Sequence, residues 1–242
     1  MQETRVVIDK HFNGPNVSAN GGYACGMMAE VLPQDQAATM RLLAPPPLEV
    51  DLRLVEDNGH VELIHGNTVI GTGESSHLDP ARPELPDNVN IYQAAENPIS
   101  SSFDFLRQCY VCGPDRQEDG LHIHPGSLIG RDGEVACFWQ TALDQADQAG
   151  FVDGLRLWSA LDCPGYFASA AGKPALLGSM TAQILGAVKA GEIVTVHAWT
   201  KSISGRKHRA GVALYGPNRD CIALADQTWV VVKDEMFDSL RG

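Results

Sequence analysis

The chain lays down the same order of segments twice, and no other feature limits its fold as sharply. In the first half, Thr4 to Ile8 reads as a short strand and Phe12-Asn13-Gly14-Pro15-Asn16 as a loop. Asn20-Gly21-Gly22 then opens an apolar segment, Tyr23 to Leu32, with Ala and Met at helical spacing and a stop at Pro33. Strand-like runs follow near 38–44, 48–56, 60–65 and 68–76, and Asn58-Gly59 between two of them is a hairpin signal. The second half repeats the order. Glu134 to Thr141 reads as a strand, Leu155 to Ala171 as an apolar helix ended by Gly172, and runs near 176–188, 192–204, 208–215 and 220–233 as strands. Val212 to Tyr215 and Cys221 to Ala225 echo Val61 to Ile64 and Val69 to Gly73 at nearly the same spacing, and each helix carries a Gly-Tyr pair, at 22–23 and 165–166.

One helix and a run of antiparallel strands, occurring twice, is an α+β pattern and not a parallel α/β one. The expected division is a first repeat over 1–77, a proline-bearing linker over 78–118 that includes the polar run Glu96 to Ser102, and a second repeat over 119–242. At 242 residues, two modules of this size fall within the ordinary domain range. The tryptophans at 139, 158, 199 and 229 lie on expected strands or the second helix and read as core.

Charge and cysteine content narrow the function classes. A net charge of −12 argues against nucleic acid as partner, because phosphate contacts need a basic surface. No apolar run reaches the roughly 18–20 residues of a membrane span, and Met1 to Arg5 lacks a secretory pattern, so no membrane partner and a cytoplasmic location are expected. Six cysteines are too sparse for a disulfide scaffold and suit a reduced compartment. Against the acidic background, Lys201 with Arg206, Lys207, His208 and Arg209 forms the densest basic cluster, readable as a solvated hairpin tip or as a seat for an anionic ligand.

Trp158-Ser159-Ala160-Leu161-Asp162, then Gly191-Glu192, Gly205-Arg206-Lys207 and Ala225-Asp226-Gln227-Thr228-Trp229 resemble, in order and spacing, the double-hotdog acyl-CoA thioesterases; Leu42 to Leu48 before a strand is similar to the same group. The resemblance implies a double hotdog, each repeat an antiparallel sheet around one helix, the halves joined edge to edge with the acyl site between them. It implies hydrolysis of an acyl thioester carried on CoA or acyl carrier protein, with no cofactor, and homodimerisation is compatible with it. In proteins of this group an Asp on the second helix and a Gln on the last strand hold the attacking water, and a Ser or Thr on the strand after the helix assists. Asp162 and Gln227 fall on the first two positions. Leu177 falls on the third, with Ser179 two residues on along the expected strand face and Thr181 after it.

The residues themselves support parts of this. Asp162 lies in an apolar segment, where a lone carboxyl needs a partner or a task; it also reads as the cap of a helix that Pro164 continues. Gln227 can donate to and accept from one water, and equally reads as an ordinary strand glutamine. Asn20, Gly21 and Gly22 suit an oxyanion site at a helix N-terminus, and equally a cap whose glycines permit close packing. Arg206, Lys207 and Arg209 are the expected seat of the CoA phosphates. His11 is kept as a pocket residue against a loop histidine, because His11-Phe12-Asn13-Gly14-Pro15 is similar to the His-Phe-Pro-Gly signature of hotdog dehydratases. Their acid is missing, since Cys25 stands at its position, and the hydratase pair lacks its histidine, since Phe167 follows Asp162 at that spacing. A lyase and a non-catalytic acyl-CoA or lipid binder are the rival functions, fold alone not deciding among them. Cys109-Tyr110-Val111-Cys112-Gly113 reads first as free thiols, with no metal; second as half of a zinc site that His122 and His124 would complete; and last as a redox pair.

Overall fold

The computed structural model describes residues 1–100, 103–117 and 119–241. Ser101, Ser102 and Glu118, all in the stretch read as linker, and Gly242 lie outside the described residues. Eleven strands form one sheet. The first half supplies β1 (Gln2–Val6), β2 (Ala37–Leu42), β3 (Leu52–Asp57), β4 (His60–His65) and β5 (Thr68–Ser76). The second half supplies β6 (Gly126–Ser127), β7 (Glu134–Gln140), β8 (Ala175–Ile184), β9 (Ile193–Ser204), β10 (Lys207–Tyr215) and β11 (Cys221–Val231). Their spatial order is β1-β3-β4-β5-β2-β8-β11-β10-β9-β7-β6, and each pairing is antiparallel. Read outward from the central β2–β8 seam, the two halves repeat one another strand for strand: β5 matches β11, β4 matches β10, β3 matches β9 and β1 matches β7. The fold is therefore a double hotdog.

The seam has a polar and an apolar side. Thr39 pairs with Thr181 and Met40 with Met180. The two threonine hydroxyls bond at 2.7 Å, while both methionines are fully buried on the helix side. The Asn58-Gly59 hairpin forms as its composition requires, with both residues at positive φ (51° and 79°), the conformation of a tight two-residue turn.

Helix α1 (Gly21–Ala29) starts where Asn20 caps it, the Asn20 side chain accepting from the Tyr23 N–H. Its Gly22 and Gly26 lie one helical turn apart and face the second-half helix. A Cβ on Gly22 would stand 2.5 Å from the Trp158 carbonyl oxygen, and one on Gly26 would stand 2.8 Å from the Trp158 Cβ. The two helices thus meet backbone to backbone.

The second-half helix differs from the continuous 155–171 expected. It forms α3 (Gly154–Ala160) and α4 (Asp162–Ser169), broken at Leu161. Pro164 has no N–H to give the Ala160 carbonyl, so the helical ladder loses a rung at that point. Next to the break, the Leu161 and Asp162 carbonyls accept from the Gln227 side chain (3.1 Å to Asp162).

The stretch between the repeats begins on the outer face of the second-half strands and ends in the main core, where Cys109, Tyr110, Val111 and Cys112 are buried. Leu78 and Leu85 cover Trp199, Ala213, Tyr215 and Leu224. Helix α2 (Asn88–Ala95) lays Ile91 and Ala94 on Leu128 and Ala136. Gly211 makes room for the Trp199 indole, whose ring atoms would lie 2.3 Å from a Cβ there. All four tryptophans are buried, as their positions suggest. A short C-terminal helix, α5 (Asp234–Asp238), brings Phe237 against Phe103 and Phe105.

Candidate active site

Asp162 opens α4 at the break between the two helices. Asp162 is 3% exposed, at the first position of α4, against the N-terminus of α1. Its Oδ2 accepts from the Asn20 Nδ2 at 2.7 Å and from the Gly22 N–H at 3.0 Å, and the Gly21 N–H points at the same carboxylate. Two repeats thus meet at one side chain: the positive end of the first-half helix holds the acid of the second. The other oxygen, Oδ1, is buried and has no hydrogen-bond partner in the protein. Burial pushes the Asp162 carboxyl up to about 7, opposed by the Gly22, Asn20 and Gly21 donors and reinforced by nearby Cys109.

A cavity of about 290 Å³ runs beside this carboxyl. Its walls are apolar, including Leu42, Leu43, Leu106, Phe167, Leu176 and Phe237, while Asn20, Gly21 and Asp162 supply polarity at one place. A mostly hydrophobic hole with a few convergent polar groups is the form of a small-molecule site.

Gln227 is 2% exposed, and its amide is committed at both ends. The Nε2 donates to the carbonyls at the helix break, and the Oε1 accepts from the Trp229 indole N–H at 2.8 Å. This placement is that of a brace for Asp162 and not of a free water ligand, a correction to the sequence expectation. Gly165 leaves the room it needs, since a Cβ there would collide with the Gln227 amide.

Ser179 is also corrected. The pairing of β11 with β8 shifts between Thr228 and Trp229, where Leu177 and Ser179 are successive partners and Gly178 is the extra residue. The bulge reverses the alternation, so Leu177 and Met180 turn inward; Met180 lies against the Gln227 Nε2. Ser179 is half-buried and absent from the cavity wall, and Thr181 bonds to Thr39 across the seam. Leu177, at the position where the resemblance expects a hydroxyl, lies against Gly21.

The remaining expectations separate. His11 sits in a 3₁₀ turn outside the cavity, its Nδ1 2.9 Å from an Asp119 carboxylate oxygen and its ring against Phe12 and Tyr110. It is not a pocket residue because the loop after β1 folds toward the Asp119 loop. Arg206 lies in the β9–β10 turn and Lys207 opens β10; neither is in the cavity wall, and Lys207 pairs with cavity-lining Val230. Arg209 is spent on Asp226 (3.6 Å), which Lys201 also holds at 2.7 Å. Cys109 and Cys112 do not meet His122 and His124; they meet Cys163, the residue after Asp162, and all three line the cavity. Sequence spacing gave no sign of that third thiol.

No family model matches the sequence, and no curated protein matches it. Solved structures do share its architecture. A presumed thioesterase II from Thermobifida fusca is similar with a TM-score of 0.64 at 13% identity, over 96% of this chain and 93% of the other. An acyl-CoA thioesterase II from Mycobacterium marinum is similar at 0.61 and 12%, over 95% and 93%. A hot dog fold protein of unknown function from Alicyclobacillus acidocaldarius is similar at 0.61 and 11%, over 96% and 94%. The likeness covers nearly the whole chain and, at identities this low, shows the double-hotdog fold alone. No described helix is long and apolar enough to cross a membrane.

Proposed function

We propose that the protein hydrolyses acyl thioesters of coenzyme A, with Asp162 as the general base. The observation that carries this reading is the asymmetry of the Asp162 carboxylate. One oxygen is fixed by Asn20 and Gly22 and the other is unpartnered, on a side chain that borders an apolar cavity. A base held by one oxygen keeps the other aimed. In the proposed reaction Oδ1 takes a proton from a water as that water's oxygen bonds to the thioester carbon. The tetrahedral intermediate then breaks its carbon–sulfur bond, and the CoA thiolate leaves with the proton from Asp162, giving free acid and free thiol. The Gly21 and Gly22 N–H groups, expected from the sequence to hold the carbonyl oxygen, are turned to Asp162 instead, so Gly21 too acts by orienting the base. Asn20, Gly22 and Gln227 are positioning residues, acting through Asp162. Ser179 and His11 have no part in it. Fold likeness to an acyl-CoA thioesterase II agrees with the reading without deciding it.

The apolar lining fits an aliphatic or aromatic acyl group, and Arg206 with Lys207, the latter paired across the sheet with cavity-lining Val230, is the proposed seat of the CoA phosphates. Thiol release from short, medium, long and aromatic acyl-CoAs tests the assignment. Turnover is expected for acyl groups that fill the cavity, and Arg206→Ala with Lys207→Ala is expected to raise KM severalfold while leaving kcat within about twofold. Tight binding of acyl-CoA with no thiol released from any of them would convert the site to that of a non-catalytic binder. Turnover confined to acyl carrier protein thioesters would keep the chemistry and change the carrier.

A further inference from the structure

Three of the six cysteines converge beside the acyl cavity, from segments 54 residues apart. The sulfurs of Cys109, Cys112 and Cys163 all lie within 4.8 Å of one another, and Cys109 and Cys163 are 3.7 Å apart. Each of the three is buried, yet each borders the cavity. Buried free thiols are common as small apolar residues, and those are scattered. These are clustered, and the chain around two of them is shaped to present sulfur.

The Cys109–Gly113 segment closes a tight turn. The Gly113 N–H donates to the Cys109 carbonyl at 2.9 Å, and a Cβ on Gly113 would stand 2.6 Å from the carbonyl oxygens of Cys109 and Arg107. The backbone N–H groups of Val111 and Cys112 point at the Cys109 sulfur. An Arg107–Asp115 ion pair, with Nη2 to Oδ1 at 2.6 Å, ties the two ends of the loop. The loop is anchored to both repeats: the Tyr110 N–H donates to the Asn13 carbonyl, and the Tyr110 and Val111 carbonyls accept from Leu121 and Ile123. The third thiol comes from α4, one residue after Asp162, and the Asn20 Nδ2 that holds Asp162 lies 3.9 Å from its sulfur. A second and independent feature marks the spot as incomplete: the buried Asp162 Oδ1 has no partner.

We infer that Cys109, Cys112 and Cys163 form a zinc site whose fourth position opens on the acyl cavity. Soft thiolates at tetrahedral separation select zinc among the common divalent ions, and Zn–S bonds of about 2.3 Å put the sulfurs about 3.8 Å apart, the distance already held by Cys109 and Cys163. Binding displaces the thiol protons to solvent. Among the described residues no histidine or carboxylate joins the three sulfurs within the same radius, so the fourth ligand is exogenous, a water in the cavity. Three protein ligands with one exchangeable position is the arrangement of zinc sites that take part in chemistry, in contrast to closed four-ligand structural sites. The site does not depend on the hydrolase assignment, and metal content reads it separately from turnover.

The test is metal analysis of tag-free protein purified under reducing conditions and desalted after incubation with zinc. About one equivalent is expected in the wild type and in Cys221→Ser, whose thiol is remote from the cluster. Less than a tenth is expected in Cys109→Ser and Cys163→Ser. Should those variants fail to fold, X-ray absorption at the zinc edge of the wild type decides the matter alone, with three sulfurs near 2.3 Å and one oxygen expected. Less than a tenth of an equivalent in the wild type would overturn the site. So would a zinc shell without sulfur, or a Cys109–Cys163 disulfide in the freshly reduced and purified protein.

Discussion

Replacing Asp162 with Asn is expected to lower kcat for acyl-CoA hydrolysis by about 10²- to 10⁴-fold, the range for loss of a general base, with KM changed less than about threefold. The side chains are nearly isosteric. The Asn carbonyl oxygen can accept from the Asn20 Nδ2 and the Gly22 N–H as the Asp162 Oδ2 does, so the fold and cavity survive. What is lost is the second oxygen, the one without a protein partner. Thermal unfolding should be unchanged or slightly raised, because a carboxyl that is costly to ionise in its buried setting is replaced by a neutral amide. Steady-state kinetics beside a melting curve separates the two effects. A loss of less than threefold in kcat would remove Asp162 from the chemistry.

Gly22→Val is expected to cost about 3 kcal/mol or more, lowering Tm by about 6–12 °C, and to abolish turnover as well. Its first added carbon would stand 2.5 Å from the Trp158 carbonyl oxygen, 2.7 Å from the Asp162 Cβ and 3.0 Å from the Ser159 Cα. Two of those three are backbone atoms, which cannot rotate aside, so the helices must part. Parting them withdraws the Gly22 N–H from Asp162, and stability and site geometry fail together. Gly154→Ala is the matched control, since nothing lies within 4 Å of a Cβ there and its φ is ordinary. It should melt within about 2 °C of the wild type or slightly higher. A Gly22→Val protein that melts with the wild type would mean that the helices are not in backbone contact.

The fold was legible because both of its periods are local. Alternation marked β2–β5 and β8–β11, the apolar helices stood out at 23–32 and from 155, and the Asn58-Gly59 turn announced its hairpin. The order of segments then matched a known architecture. Asp162 was legible for a different reason: an acid in an apolar helix has few ways to be tolerated. Asn20 and the two glycines were read as an oxyanion site or as a cap with a packing notch; the cap and the notch form, while the Asn20 amide and the glycine N–H groups are engaged by Asp162.

The failures are all cases where one residue's geometry depends on another segment. Ser179 was placed by counting in twos along β8, and the extra residue at Gly178 breaks that count, a feature visible only in the pairing with β11. Gln227 sits on the expected strand, but the carbonyls that occupy its amide lie at the helix break, 65 and 66 positions earlier in the chain. His11 drew notice for its neighbours in sequence, whereas its partner Asp119 lies across the fold. Cys109 and Cys112 were read first as free buried thiols, as they are, and second as half of a zinc site with His122 and His124; Cys163, which neither reading named, reaches them through the packing of α4 against the connecting loop.

The central claim is that water, activated by Asp162, attacks the thioester directly. Cys109 and Cys163 line the same cavity and are the chemical rivals, since either could accept the acyl group first. A single turnover in ¹⁸O-labelled water, quenched and read by mass spectrometry on both the product and the protein, distinguishes them. Direct attack places one labelled oxygen in the released acid and leaves the protein at its unmodified mass at every time point. Transient acylated protein carrying the acyl mass on a peptide containing Cys109 or Cys163 would contradict it.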